Sequence, residues 1–125
     1  MTTSFAVAYA RVSSREQQQE GYSIEAQLKL LRSYAQKNGF TIIQEFVEIE
    51  SAKSAGRTEF GKMYEFLKRS KNCRINLVEK TDRLLRNFED DVAITRLDVE
   101  IHFVKTGNVL SKNAKAQAKF IHGIE

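Results

Sequence analysis

Short apolar strands alternating with amphipathic helices constrain this chain more than any other feature of its sequence. The series begins at Phe5-Ala6-Val7-Ala8-Tyr9-Ala10, an almost wholly apolar run that reads as a buried strand. A polar, glutamine-rich connection follows over residues 14–22. Ser23 then stands as an N-cap, with Glu25 in the first turn where the helix dipole favours an acid. Ile24, Leu28, Leu31 and Tyr34-Ala35 fall at helical spacing, and Asn38-Gly39 closes the helix. Phe40-Thr41-Ile42-Ile43 and Phe46-Val47 supply a second strand, and residues 49–56 read as a loop of small and polar residues. Arg57-Thr58 opens a second helix that carries Phe60, Met63, Tyr64 and Leu67 inward. Ile75-Asn76-Leu77-Val78 is a third strand, followed by a turn at Glu79-Lys80-Thr81-Asp82-Arg83. A short helix over residues 87–97, a fourth strand at Ile101-His102-Phe103-Val104 and a helix from Ser111 complete the pattern. The last helix places Leu110, Ala114, Ala118, Ile121 and Ile124 on one stripe. Such alternation predicts an α/β fold of three layers, αβα, around a mostly parallel central sheet.

At 125 residues the chain is long enough for one domain with a single core. No apolar run approaches the length of a membrane span, and Met1-Thr2-Thr3-Ser4 leads into the first strand without the layout of a signal peptide. The lone Cys73 excludes an internal disulfide and a thiolate metal cluster, which predicts a reducing, cytoplasmic setting. A net charge of +4 is only mildly basic, but the charges are unevenly spread. Lys53, Arg57, Lys62, Lys68, Arg69, Lys71 and Arg74 face only Glu59 and Glu65 in their stretch. The acids gather between Glu45 and Glu50 and between Glu89 and Glu100. This asymmetry suits a polyanion bound on one face, although on charge alone a solvated basic helix is the better reading. The division expected is a domain over residues 1–110, with residues 111–125 starting a C-terminal helix that leads toward a further region. That helix stripe either lies back on the sheet or begins a contact with another copy.

The chemistry concentrates where strands end. Strand alternation turns Arg11 and Ser13 the same way and Val12 and Ser14 the other. A polar pair at the carboxyl end of a buried strand is where open α/β sheets place ligands. The histidines, His102 and His122, lie far along the chain and offer Ser13 no adjacent base. Arginines are offered instead. Asp82-Arg83-Leu84-Leu85-Arg86 follows the third strand, and Arg83 and Arg86 are neighbours if a helix starts there. The ends of strands one and three share an edge of a parallel sheet, so Arg11, Ser13, Arg83 and Arg86 converge, with Arg57 in reach from its loop. Arginine stays protonated and cannot act as a base, but its planar fork matches phosphate oxygens in pairs. Several arginines around one hydroxyl bind a phosphodiester and favour the alkoxide, with Asp82 orienting Arg83. Taken singly, each arginine is better explained as a surface arginine in an ion pair with a nearby acid. A flavodoxin-like nucleotide or phospho-receiver domain fits less well, for lack of a glycine-rich first turn or an acidic pocket.

At these residues the chain resembles the N-terminal catalytic domain of the serine recombinases, the resolvase/invertase family. Tyr9-Ala10-Arg11-Val12-Ser13, with Gln17 four residues on, is similar to that family's nucleophile motif. Asp82-Arg83-Leu84-Leu85-Arg86 matches its second motif, and Arg57 its mobile arginine. Glu20-Gly21-Tyr22-Ser23-Ile24-Glu25-Ala26-Gln27 is similar to a stretch of the large serine recombinases. The resemblance implies a site-specific DNA recombinase of a mobile element or prophage. In it Ser13 attacks a phosphodiester of double-stranded DNA, leaving a 5′-phosphoserine link and a free 3′-hydroxyl. It further implies that Arg11, Arg57, Arg83 and Arg86 bind the scissile phosphate, that Asp82 supports the arginines, and that Gln17 and Gln27 position the site. Homodimers assemble to a tetramer on DNA, exchange strands and religate, with no metal, no cofactor and no membrane involved. The alternative it leaves is an inactive recombinase-like module that acts in assembling DNA complexes.

Overall fold

The computed structural model describes residues 4–13, 15, 23–50, 58–85 and 88–111. Strands β1 (Ser4–Ser13), β2 (Phe40–Glu50), β3 (Cys73–Val78), β4 (Glu100–Phe103) and β5 (Asn108–Leu110) form one sheet. Their order is β2-β1-β3-β4-β5. The first four run parallel and β5 runs antiparallel to β4. Between them come helices α1 (Ile24–Asn38), α2 (Thr58–Arg69), α3 (Thr81–Leu84) and α4 (Phe88–Thr95).

The unbroken apolar run of β1 is explained by its place, since β1 lies between β2 and β3 and is covered on both faces. Ala6, Val7, Ala8, Tyr9 and Ala10 expose no surface. On one face Ala6 and Ala8 meet Leu31 and Ala35 of α1 and Ile75 and Leu77 of β3. On the other, Val7, Tyr9 and Val78 meet Phe60, Met63 and Leu67 of α2 and Ile94 of α4. Leu31, Met63 and Leu67 are wholly buried, each a gain of about 1.5–3 kcal/mol over exposure. The helices therefore take opposite faces, and the expected layering holds.

Local chemistry fixes the helix ends. Ser23 caps α1 through its Oγ, which accepts from the Ala26 amide at 3.1 Å. Gly39 ends α1 in the left-handed region at φ 74°, where a side chain would be strained. The start of α2 takes its cap from a neighbouring strand, because Glu48 Oε1 of β2 accepts from the Glu59 and Phe60 amides at 3.0 and 3.1 Å. Arg74 closes the far end of α2, donating to the carbonyls of Leu67, Ser70 and Leu97. Arg74 thus serves the fold and is withdrawn from the basic face read in the sequence. Lys62 on that face is paired with Glu59 at 3.0 Å.

Three local expectations are corrected. β2 does not give way to a loop at Ile49, because it stays paired with β1 as far as Ser13 and Glu50. The turn after β3 contains the single helical turn α3. Leu110 belongs to β5 and does not head a helical stripe. The chain reverses after β4, where the Thr106 and Gly107 amides donate to the Phe103 carbonyl at 3.2 and 2.8 Å, with Gly107 at φ 79°. The helix expected beyond Ser111 lies outside the described residues.

Candidate active site

The strand order creates a switch point. From β1 the chain turns through α1 to β2 on one side, and from β2 it crosses back through α2 to β3 on the other. The carboxyl ends of β1 and β3 are adjacent while their connections leave toward opposite faces, an arrangement that opens a crevice for ligands in α/β sheets. Arg11 and Ser13 end β1 on this edge, and Glu79 to Arg83 leave β3 on the same edge.

β1 outruns β3 here. Its last pair with β3 is Tyr9 with Val78, whereas its pairing with β2 continues to Ser13. The backbone of Arg11 therefore has no strand on its β3 side. Gln27 of α1, fully buried, takes that place: its Oε1 accepts from the Arg11 amide at 3.2 Å, and its Nε2 donates to the Arg11 carbonyl at 3.0 Å. One amide side chain thus imitates a strand neighbour and keeps the segment that carries Ser13 extended, since buried backbone groups must be paired.

The Arg11 guanidinium ties three elements together. Its Nη1 donates to Glu50 Oε1 of β2 at 2.7 Å, its Nε to the Arg83 carbonyl at 3.0 Å and its Nη2 to the Asp82 carbonyl. Arg83 is more deeply buried, with 3% of its side chain exposed, and its Nε donates to Glu79 Oε1 at 3.2 Å. The expectation that Asp82 orients Arg83 is corrected: Asp82 is exposed and contributes its carbonyl to Arg11, while among the described residues the carboxylate that pairs with Arg83 is that of Glu79. The physical reason is placement, because residues four apart across a helical start face each other and adjacent ones do not.

Ser13, Arg11, Asp82, Arg83 and Gln27 are thus brought to one region of the molecule. Arg57, Arg86 and Gln17 lie outside the described residues. α3 stops at Leu84 and Leu85 is extended at φ −98°, ψ 115°; the neighbour relation expected of Arg83 and Arg86 lies outside the described residues. Sequence reasoning missed Glu48, Glu50 and Glu79. The signal for the first two was their alternate spacing at the end of a strand, and for Glu79 its spacing of four from Arg83.

The guanidinium of Arg11, paired with Glu50, and that of Arg83, paired with Glu79, thus lie at the sheet edge where β1 ends in Ser13. His102 stands apart on β4, with Nδ1 at 2.6 Å from the Tyr34 hydroxyl and Nε2 at 3.0 Å from Glu100. Burial, and next the charge of Glu100, push the Tyr34 hydroxyl above its ordinary value. Among the described residues no group of three His, Cys, Asp or Glu side chains is placed to hold a metal ion. Among them, too, no helix is long and apolar enough to cross a membrane. A concavity of about 410 Å³, lined by Ser4, Phe40, Arg74 and Glu100 among others, lies at the opposite, amino-terminal edge of the sheet.

Comparison with known proteins gives this edge a context. The sequence profile of the resolvase N-terminal domain matches residues 6–125. Among solved structures, the N-terminal catalytic domain of TP901-1 integrase is similar at a TM-score of 0.74 and 22% identity, over 94% of this chain and 89% of that one. A resolvase family site-specific recombinase from Streptococcus pneumoniae is similar at a TM-score of 0.76 and 27% identity, over 98% and 85%. The C-terminal catalytic domain of ISC1926 TnpA, an IS607-like serine recombinase, is similar at 0.66 and 24%, over 96% and 80%. No curated protein sequence matches.

Proposed function

The chain belongs to the resolvase family, and from that premise we propose that it is a site-specific DNA recombinase whose nucleophile is Ser13. The observation that carries this reading is the crossing of strand ends at the switch point. Arg11, two residues before Ser13 on β1, reaches the carbonyls of Asp82 and Arg83 beyond β3. In this reading a DNA phosphate at this edge meets the Ser13 hydroxyl and arginines held in place by Glu50 and Glu79.

Ser13 Oγ loses its proton to solvent and forms a bond to phosphorus as the bond from phosphorus to the 3′ oxygen breaks. The 3′ oxygen leaves as a hydroxyl and the 5′ phosphate stays on the serine. Arginines at the site stabilise the charge that builds on the phosphoryl oxygens, a preorganised contact whose loss typically costs about 3 kcal/mol or more. Arg57 and Arg86 join Arg11 and Arg83 in this role, Gln17 assists in placing the site, and Asp82 contributes through its carbonyl. The ester bond retained on Ser13 conserves the energy of the broken linkage. A 3′-hydroxyl from a second duplex reverses the step without ATP. Two duplexes and four ends require four copies of the chain, so a homodimer that pairs into a tetramer on DNA is part of the proposal. DNA-binding contacts from a region beyond this catalytic unit complete it.

The experiment is adduct formation by the full-length gene product on a duplex nicked near the crossover, which traps the covalent step. Ser13→Ala abolishes the adduct while DNA binding persists, and Ser14→Ala forms it at a near-normal rate. An adduct that survives Ser13→Ala and disappears in Ser14→Ala overturns the assignment.

A further inference from the structure

We propose that Glu79 is a positioning residue for the cleavage step, acting on the DNA phosphate through Arg83. This inference rests on the recombinase reading above and assigns a role that the sequence motifs did not contain.

Glu79 is the first residue after β3, and its side chain is 11% exposed. Its backbone is pinned from β4's side of the sheet: the Val104 and Lys105 amides donate to the carbonyls of Val78 and Glu79, both at 2.9 Å. The carboxylate thus projects from a fixed base. Four residues on, it accepts from Arg83 Nε at 3.2 Å. Arg83 is held at its backbone too, since its amide donates to the Lys80 carbonyl at 3.0 Å and its own carbonyl accepts from Arg11 Nε. A long arginine side chain ordinarily spends rotamer entropy when it meets a ligand. Here a buried carboxylate at Nε restrains the guanidinium before any ligand arrives and ties its orientation to the end of β3. Preorganised charge is worth most when it need not reorient during the reaction. The carboxylate also subtracts from the positive charge of the site. Glu79 therefore trades some attraction for the phosphate against a fixed geometry, which separates its effect on binding from its effect on chemistry.

The test uses the full-length gene product with the nicked duplex, in wild type, Glu79→Gln and Glu79→Ala. Affinity for DNA, the adduct rate at saturating protein and the melting temperature are measured for each. The duplex carries a single phosphorothioate at the scissile position in either the Rp or the Sp form. Glu79→Gln, which keeps an oxygen within reach of Nε, binds DNA at least as tightly as wild type and forms adduct more slowly. The loss is about tenfold to a hundredfold, as when a partner that orients a functional group is removed. Glu79→Ala is slower than Glu79→Gln. In both, the ratio of Rp to Sp rates departs from that of wild type, because a displaced Arg83 addresses the two non-bridging oxygens differently. A wild-type adduct rate in Glu79→Gln overturns the proposal. So does a slower rate with an unchanged Rp to Sp ratio, which marks a purely structural carboxylate. These results leave Ser13 untouched: loss of the adduct in Ser13→Ala together with a normal Glu79→Gln refutes only the positioning role.

Discussion

Replacing Gln27 by leucine removes the amide that stands in for a missing strand neighbour, and the cost can be worked from the structure. Leucine fills a similar volume in the fully buried position but neither accepts from the Arg11 amide nor donates to its carbonyl. Both backbone groups are left without that partner, and the apolar side chain keeps water from replacing it. An unsatisfied buried donor or acceptor costs about 1–3 kcal/mol, and partial exposure of Arg11 argues for the lower part of that range. The two groups together give roughly 2–4 kcal/mol, a large fraction of the 5–15 kcal/mol that holds a typical domain. Urea unfolding followed by circular dichroism measures this directly, and the chain has no tryptophan to follow by fluorescence. The midpoint falls while the slope stays constant. Gln27→Ala is no more destabilising than Gln27→Leu, because the smaller side chain admits water to the same groups, which inverts the usual order for core truncations. A Gln27→Leu protein within about 0.5 kcal/mol of wild type, the scatter of ordinary surface substitutions, refutes the reasoning.

Two further outcomes follow from the titrating groups. Burial pushes the Cys73 thiol above its ordinary value, against weaker opposing effects of the Ile75 backbone and Arg74, so it stays protonated and unreactive. Iodoacetamide labels it slowly in buffer and quickly in urea, and equal rates contradict its burial. The hydrogen bonds and charge of Arg32 hold the Glu45 carboxyl below its ordinary value, with contacts of 2.7 and 2.8 Å. Because the folded value lies below the unfolded one, the pair's contribution is present above the ordinary carboxylate range and is lost as pH falls through the folded value. In Arg32→Ala the Glu45 titration, followed by NMR, moves back up; an unmoved titration contradicts the pairing.

The sequence carried the parts of the fold governed by local rules. Ser23 and Gly39 bound α1 because a cap hydroxyl and a left-handed glycine act within a few residues. β1 was legible because a strand buried on both faces has no reason to alternate. β5 was not, since Asn108 and Val109 are exposed and carry no periodicity, and its only specification is the reversal at Gly107. At the candidate site, the shared edge of Arg11, Ser13 and Arg83 was legible because side chains alternate along a strand and the ends of neighbouring parallel strands lie together. Their carboxylate partners were not. Glu48 and Glu50 read as part of an acidic cluster, whereas one caps α2 and the other holds Arg11. Those pairings depend on β2 lying beside β1 through its last residue, a tertiary fact with no local signature. Glu79 was hidden for the opposite reason: the acid adjacent in sequence, Asp82, drew the assignment that spacing along a helix gives to the residue four back.

In the proposed reaction the hydroxyl of Ser13, at the edge where β1 ends beside the turn beyond β3, forms the bond to DNA. The most direct measurement is tandem mass spectrometry of the trapped adduct after digestion with nuclease and protease. The expected product is a peptide with a nucleotide attached through its 5′ phosphate to Ser13, and a DNA strand ending in a 3′-hydroxyl. A modification on Ser14 or on a tyrosine, or a phosphate retained on the 3′ end of the DNA, contradicts it.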